Sequence, residues 1–482
     1  LVGSEMCIRD STDYYELTMM YGYFKKQMTK TRSVFDLFFR ANSESNYCIA
    51  AGLEQAVQYI ENLRFEKEQL DYLRSTKDFD EDFLAYLENF RFSGDIYALE
   101  EGTVVFPGEP LMIVKAPIIE AQLMESALLN IVNFQTLIAT KASRVAYVAQ
   151  PGQVSEFGLR RAQAPDAAVY GARAALIGGC SSTSNVLAAQ MCDTFATGTH
   201  AHSWIMAFDS ELEAFRAYAE IYPDSCLLLV DTYDTLRGVK NAITVFKEMR
   251  EKGLKPKGIR LDSGDLAYLS KKAREMLDEA GFEDAMIFAS GDLDEYTIQS
   301  LKLQGARIDC YGVGTKLITS HSNPSLGGVY KICEVEENGV MTPKMKISDN
   351  PAKVTNPGEK RIFRLVSKNN NKAIADVICL ADEKIDESKP YTLIHPEYRW
   401  KTKEVRNFRA KELYRQIYKD GKLVYDLPDL KTIQRRKRES FDEFWDEYKR
   451  LEKPHIYKVD LSEKLYNLKQ KLIDELVGKK GK

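Results

Sequence analysis

Six short segments of this 482-residue chain bring together residue types able to act on an anion. The first is TGTHAHSW, residues 197–204. Only five histidines occur in the whole sequence, and His200 and His202 stand together here behind a Thr-Gly-Thr turn. Hydroxyls and glycine amides offer donors to a phosphate, while a neutral imidazole offers a nucleophile. A histidine in such a place serves equally as a hydrogen-bonder in the core. The second segment, EFGLRRAQAPD (156–166), carries Arg160 and Arg161, whose planar guanidinium groups match a carboxylate or phosphate bidentately. Successive side chains on a strand face opposite ways, so one of the two arginines is expected in a site. Asp166 suits the first turn of the helix that follows.

RLDSGD (260–265) sets Arg260 beside Asp262 and Asp265. Asp265 is placed to cap the next helix, whereas Asp262 ends the apolar stretch before it. ASGD (289–292) and GVGT (312–315) put Gly291, Gly312, Gly314 and Thr315 where a backbone can approach a ligand and a helix N-terminus favours phosphate. One such turn says little; two in succession, with arginines elsewhere, favour a phosphate. DTYDTL (231–236) adds Asp231 and Asp234. A carboxylate there suits magnesium, a sugar hydroxyl or an arginine partner, and periodicity does not choose among them.

These segments sit at the ends of predicted strands. SCLLLVD, GIRLD, AMIFAS and RIDCYGVG are short apolar runs ending at Asp231, Asp262, Ser290 and Gly312, and amphipathic helical stretches separate them. A helix between strands returns the chain to the same end of the sheet, so the strands are parallel. Ligands sit at that carboxyl end in both barrels and doubly wound sheets. QVSEFGLRRA and DTFATGTHAHSW look like further strand-to-loop transitions. Some six units between about 150 and 335 predict a closed or nearly closed (β/α) barrel. The flanks mix helices with strand-like pieces, SVFDLFFR and PLMIVKAP before it and MKISDNPAKVTNPGEKRIFRLV after it, and end in a charged helical tail. The basic run KTIQRRKRES (431–440) is expected to be a solvated helix or connector face.

Composition narrows the class. With 44% hydrophobic and 29% charged residues the chain is globular, and its net charge of -4 argues against a general nucleic-acid binder. A few arginines in one pocket still suffice for a small anion. The eight cysteines form no Cys-x-x-Cys pair and several lie in apolar runs, as buried reduced thiols do. No apolar run approaches the ~18 residues of a membrane span. The first eleven residues, LVGSEMCIRDS, lack the apolar stretch of a signal peptide and are expected to be foreign or disordered. A cytoplasmic location is the default expectation.

Taken in order, the segments TDYYELTMMYGY (12–23), SVFDLFFR (33–40), AGLEQAVQYI (51–60), EFGLRRAQ (156–163), SSTSNVLAA (181–189), GTHAHSW (198–204), DTYDTL (231–236), IRLDSGDL (259–266), YGVGTKL (311–317) and PSLGGVYK (324–331) resemble the nicotinate phosphoribosyltransferase family over residues 12 to about 365. The resemblance implies an α/β fold: an irregular (β/α) barrel joined to a mixed α/β domain built from both chain ends. The expected boundaries are 12–130 for the N-terminal part, 131–338 for the barrel, and 339–482 for the C-terminal part packing with both. It implies an enzyme joining nicotinate to the ribosyl group of phosphoribosyl pyrophosphate (PRPP), releasing pyrophosphate with ATP hydrolysis and Mg2+, in the first step of nicotinate salvage to NAD. It further implies a homodimer with active sites at the subunit interface, acting without nucleic acid or membrane.

Residue by residue, His202 matches the histidine that the family phosphorylates. Thr199 and Arg260 match residues contacting nicotinate, with Arg260 on its carboxylate. Tyr15 matches the tyrosine stacking on the pyridine from the neighbouring subunit, with Phe157 on the other face and Arg160 nearby. Gly291, Gly312, Gly314 and Thr315 match the ribose 5-phosphate site. Asp231 and Asp262 match carboxylates near the ribose, and Asp231 is the candidate for magnesium through its pyrophosphate complex. The sequence departs from the family pattern at Ala164, where glycine is usual, in FRANSESNYCIAAGL, which lacks a Gly-rich turn, and in a slightly short DTYDTLRGV. Nicotinamide or quinolinate as substrate, or a non-catalytic nucleotide-binding regulator, are the alternative readings.

Overall fold

A computed structural model describes residues 12–41, 46–348 and 353–480; residues 1–11 and part of the FRANSESNYC stretch lie outside them. The chain divides into two compact units, one holding Ile138–Pro324 and the other the segments on either side.

Six parallel strands form the sheet of the Ile138–Pro324 unit: β1 (Gln153–Glu156), β2 (Ser182–Thr183), β3 (Leu227–Leu229), β4 (Gly258–Leu261), β5 (Met286–Ala289) and β6 (Cys310–Val313). They follow chain order around the sheet, and β6 then pairs with β1, so the last strand meets the first. Eight helices intervene or follow: α1 (Pro165–Gly178), α2 (Val186–Met191), α3 (His202–Met206), α4 (Glu211–Ile221), α5 (Thr235–Glu251), α6 (Leu266–Glu279), α7 (Glu295–Leu303) and α8 (Thr315–Ile318). This is an irregular (β/α) barrel. The expected strand at DTFATG shrinks to an isolated bridge between Thr183 and Ala196. Among the described residues no backbone ladder joins that bridge to β3. There the His200 imidazole reaches across, its Nε2 accepting the Leu229 N–H at 3.2 Å.

Strand periodicity decides what faces inward. In β4 the outward-facing Ile259 and Leu261 are fully buried, which leaves Arg260 between them on the inner face. In register with Arg260, Phe288 projects the same way and packs with Leu227, Cys310 and Phe157 as the apolar floor of the barrel. The acidic residues after the strands split into two sets. Asp234, Asp265 and Asp294 are N-caps, their side chains accepting from Arg237, Tyr268 and Thr297 amides, whereas Asp262 directly follows β4 and Asp231 lies two residues past β3.

The other unit is built from both chain ends. Its seven-stranded antiparallel sheet seats Arg32–Phe39 between Pro110–Pro117 and Gly328–Glu337, with Ser33 opposite Val335 and Phe39 opposite Gly328. Gly328–Glu337, assigned to the barrel by the expected 131–338 boundary, therefore belongs to this unit, because its ladder partner lies near the N-terminus. A second six-stranded sheet joins Lys360–Ser367, Ala373–Leu380 and Val459–Leu461. Phe35, Phe83, Ile113, Leu128, Tyr330 and Ile417 share the main core of this unit. The basic run of 431–440 forms part of the helix Leu430–Asp442, but one face is not solvated: Lys437 is buried and Arg436 donates to Glu100 and Glu101.

Candidate active site

At the carboxyl end of the barrel strands lies a cavity of about 450 Å3. Phe157, Arg160, Thr199, Arg260, Asp262, Gly291, Gly312, Gly314 and Thr315 all line it, so residues at the ends of β1, β4, β5 and β6 meet Thr199, just past the Ala196 bridge, in one place.

Arg260 is its centre. Nε donates to Ser290 Oγ at 2.8 Å, one Nη to Thr199 Oγ1 at 3.2 Å, and the other to Asp262 Oδ1 at 2.8 Å. A guanidinium has five N–H groups, so one remains uncommitted on each terminal nitrogen. Its plane also lies over the Phe157 ring, 5.6 Å from the centroid, and Phe157 in turn stacks on Phe288 at 5.6 Å and 14°. Burial pushes the Asp262 carboxyl up, but the Ser290 hydroxyl and the Arg260 charge outweigh it and hold Asp262 below the usual carboxylate range. Asp262 N–H donates to Asp231 Oδ2 at 3.1 Å, and Ser263 Oγ does so at 2.6 Å. Asp231 Oδ1 is buried with no protein partner.

The two histidines of HAH separate in role. Burial drives the His200 imidazole down to about 4, keeping it neutral and able to accept from Leu229 at the barrel seam. His202 is the accessible one: Nδ1 lies 3.1 Å from Thr232 Oγ1, and Nε2 lies 3.8 Å from Asp262 Oδ2. Arg260 and His202 thus flank the same carboxylate.

Two glycines have no substitute in this cradle. Gly291 has φ +101°, and a Cβ there would stand 2.2 Å from the Asp262 carbonyl oxygen. At Gly312 a Cβ would press to 2.8 Å on both Phe157 and Phe288. The cavity is therefore shaped by what glycine leaves out.

Comparison with known protein families places this architecture. Three models describing the nicotinate phosphoribosyltransferase N-terminal domain, family and C-terminal domain match residues 11–133, 152–387 and 359–469. The Bacillus subtilis nicotinate phosphoribosyltransferase is 49% identical over 467 residues, covering 96% of this chain and 95% of that protein. The chain belongs to the nicotinate phosphoribosyltransferase family. The nicotinate phosphoribosyltransferase of Caenorhabditis elegans is 35% identical over 94% of this chain and 91% of its own length. Among solved structures, human nicotinic acid phosphoribosyltransferase superposes with a TM-score of 0.85 at 29% identity, covering 96% and 99% of the two chains.

Within this family framework, one sequence expectation needs correcting. Arg160 and Arg161 both line the cavity, because the strand stops at Glu156 and the arginines fall in a 3-10 turn, Leu159–Arg161, where the two-residue alternation of a strand no longer applies. Asp231 and His202 stand behind and beside Asp262 rather than among the lining residues. Tyr15 lies in the other unit, on the helix Tyr14–Lys25, and is 43% exposed.

Sequence reading missed Ser290 as a site residue, although its hydroxyl joins Arg260 to Asp262; its place at a strand end was the available signal. Asp292 also lines the cavity, in the left-handed region at φ +47°. Glu156 was missed too. It is fully buried, accepts from Thr183 Oγ1 at 2.6 Å and from the Gly158 amide, and so anchors the turn bearing Phe157 and Arg160. Nothing in its local sequence distinguishes it from a surface glutamate.

Proposed function

We propose that this enzyme transfers the phosphoribosyl group of PRPP to the ring nitrogen of nicotinate, releasing pyrophosphate and forming nicotinate mononucleotide, the first step of nicotinate salvage to NAD. The carrying observation is the Arg260 cluster: a guanidinium with one free N–H on each terminal nitrogen, above an aromatic floor, at the mouth of the barrel. That fork fits one carboxylate, and Phe157 offers a flat face to the ring carrying it. Nicotinamide has no carboxylate for the fork. Quinolinate has a second, which would need another arginine positioned as firmly as Arg260.

Gly291, Gly312, Gly314 and Thr315 would hold the ribose 5-phosphate, Thr315 at the first helical position after β6. As the C1–O bond to pyrophosphate breaks, its electrons leave with pyrophosphate and positive charge develops on the ribose. The depressed Asp262 carboxylate stays ionised to stabilise that charge. The pyridine nitrogen then forms the new bond to C1, held in line by Arg260 and Phe157. Tyr15 from a second copy would cover the ring's opposite face, and Arg160 would meet the phosphates.

Mg2+ fits the residue set: the unpartnered Asp231 Oδ1 is the atom that would face it, directly or through the pyrophosphate complex, and the ion would neutralise the leaving group. For ATP coupling, the tautomer donating Nδ1–H to Thr232 leaves His202 Nε2 free to take the γ-phosphoryl group. The homodimer is supported by large apolar side chains that one copy leaves bare in the stretch between β2 and β3, with Phe195 90%, Val186 71% and Met206 67% exposed. None of the seven described cysteines is in a disulfide, as suits a reducing cytoplasm, and among the described residues no helix is long and apolar enough to cross a membrane.

The test is pyrophosphate release with PRPP and each of nicotinate, nicotinamide and quinolinate, with and without ATP. Nicotinate should be turned over at least a hundredfold more efficiently than the others, and faster with ATP. Equal turnover of nicotinamide would refute the assigned carboxylate clamp. Mixing Tyr15→Ala with His202→Ala chains should restore activity if the sites are shared between subunits.

A further inference from the structure

We propose that Asp294 and Lys316 form a latch holding the two glycine turns of the phosphate cradle at a fixed spacing, and are positioning residues for PRPP. This rests on the assignment of the ribose 5-phosphate to Gly291, Gly312, Gly314 and Thr315.

The first turn is strained. Gly291 at φ +101° is followed by Asp292 at +47°, two successive residues in the left-handed region, the second carrying a side chain. Such conformations persist when surrounding structure over-determines them. Upstream, Ser290 directly follows β5 and is bound to Arg260 and Asp262. Downstream, Asp294 does two things at once. Its Oδ1 accepts the Thr297 N–H at 2.7 Å and caps α7, and its Oδ2 accepts Lys316 Nζ at 2.8 Å. Lys316 directly follows Thr315, in the first turn of α8, so this bond ties the Gly291 turn to the Gly314 turn.

The next residue makes the anchor firm. Glu295 is 1% exposed and is gripped by Lys141 at 2.8 Å and Arg144 at 3.0 Å, from the part of the helix Glu125–Ala149 within the barrel unit. One end of the latch is thereby fixed to the scaffold, and the other steers the α8 N-terminus. Lys316 does not line the cavity, whereas its neighbour Thr315 does. Its ammonium is committed to Asp294, whose side chain is 12% exposed. A donor array displaced by a fraction of an ångström loses phosphate hydrogen bonds without losing the fold.

The test compares Lys316→Met, which spares the helix cap, with Asp294→Asn and the double variant. Pyrophosphate-release kinetics would vary PRPP and nicotinate separately, alongside thermal unfolding and amide exchange of the Ser290–Leu293 peptide. Each single change should raise KM for PRPP by roughly tenfold with KM for nicotinate within about twofold, and the double variant should be no worse than the poorer single one. Exchange in the 290–293 turn should rise in ligand-free Lys316→Met while its melting point stays within a few degrees of the parent. A large loss in Lys316→Met with Asp294→Asn near normal would make Lys316 a direct phosphate ligand and overturn the latch. So would additive losses, or equal rises in both KM values. Calorimetric titration with PRPP separates the two levels: if the parent binds PRPP but releases no pyrophosphate with nicotinate, the proposed reaction fails while the latch is still judged by PRPP affinity and exchange.

Discussion

Lowering the pH from 7.5 to 5 should weaken the barrel unit by about 2 kcal/mol through His200. The imidazole is 8% exposed, its Nε2 accepts the Leu229 N–H at the seam, and its ring packs edge-on against Tyr218 at 4.7 Å. Protonation would remove that acceptor and bury a charge, which is why burial lowers the group from 6.5 to about 4. Because the folded value lies below the unfolded one, protons bind preferentially to the unfolded chain. The stability contribution is therefore intact above pH 6.5, declines as pH falls from there toward 4, and saturates below, at a loss of about 3 kcal/mol. The assay is urea unfolding at pH 7.5, 6 and 5. Of the three tryptophans only Trp204 belongs to the barrel unit, so a Trp400→Phe, Trp445→Phe background makes its fluorescence a report on that unit. His200→Gln keeps a carbonyl acceptor but cannot titrate. It should be about 1–2 kcal/mol less stable at pH 7.5 from lost packing, yet decline less steeply toward pH 5 by about 2 kcal/mol. Parallel declines in parent and variant would refute the reasoning, since some other group would then carry the dependence.

Other perturbations address the site directly. Arg260→Lys loses the planar fork and should raise KM for nicotinate by roughly a hundredfold, about 2–3 kcal/mol, with KM for PRPP nearly unchanged in steady-state kinetics. Gly291→Ala forces a Cβ toward the Asp262 carbonyl at positive φ, and should lower stability by about 2–4 kcal/mol and PRPP affinity at least tenfold, read by thermal unfolding and calorimetry. His202→Ala should leave the fold intact, as measured by circular dichroism, but abolish stimulation of pyrophosphate release by ATP; undiminished stimulation would count against the phosphohistidine. Asp231→Asn should raise the Mg2+ concentration needed for half-maximal rate severalfold, seen in a metal titration at fixed PRPP, because a neutral amide is a poorer partner for the ion than a carboxylate.

Much of this was written in local sequence. Short apolar runs ending in Asp, Ser or Gly marked the carboxyl ends of parallel strands, and Asp265 read correctly as a helix cap, because strand ends and caps depend on neighbours a few residues away. Arg260 could be placed in a site from the I-R-L-D pattern, since alternation alone turns it inward between Ile259 and Leu261. Tertiary structure decided what local pattern leaves open. That Arg161 joins Arg160 at the cavity follows from a strand stopping at Glu156, and the burial of Glu156 follows from Thr183 and Gly158 arriving around it. The two histidines of one tripeptide differ because the seam beside β3 engulfs His200 and leaves His202 at the rim. Gly328–Glu337 left the barrel for a sheet begun some 300 residues earlier. Periodicity specifies which face of an element is buried; which distant segment buries it is settled only when backbone pairing and packing are satisfied together.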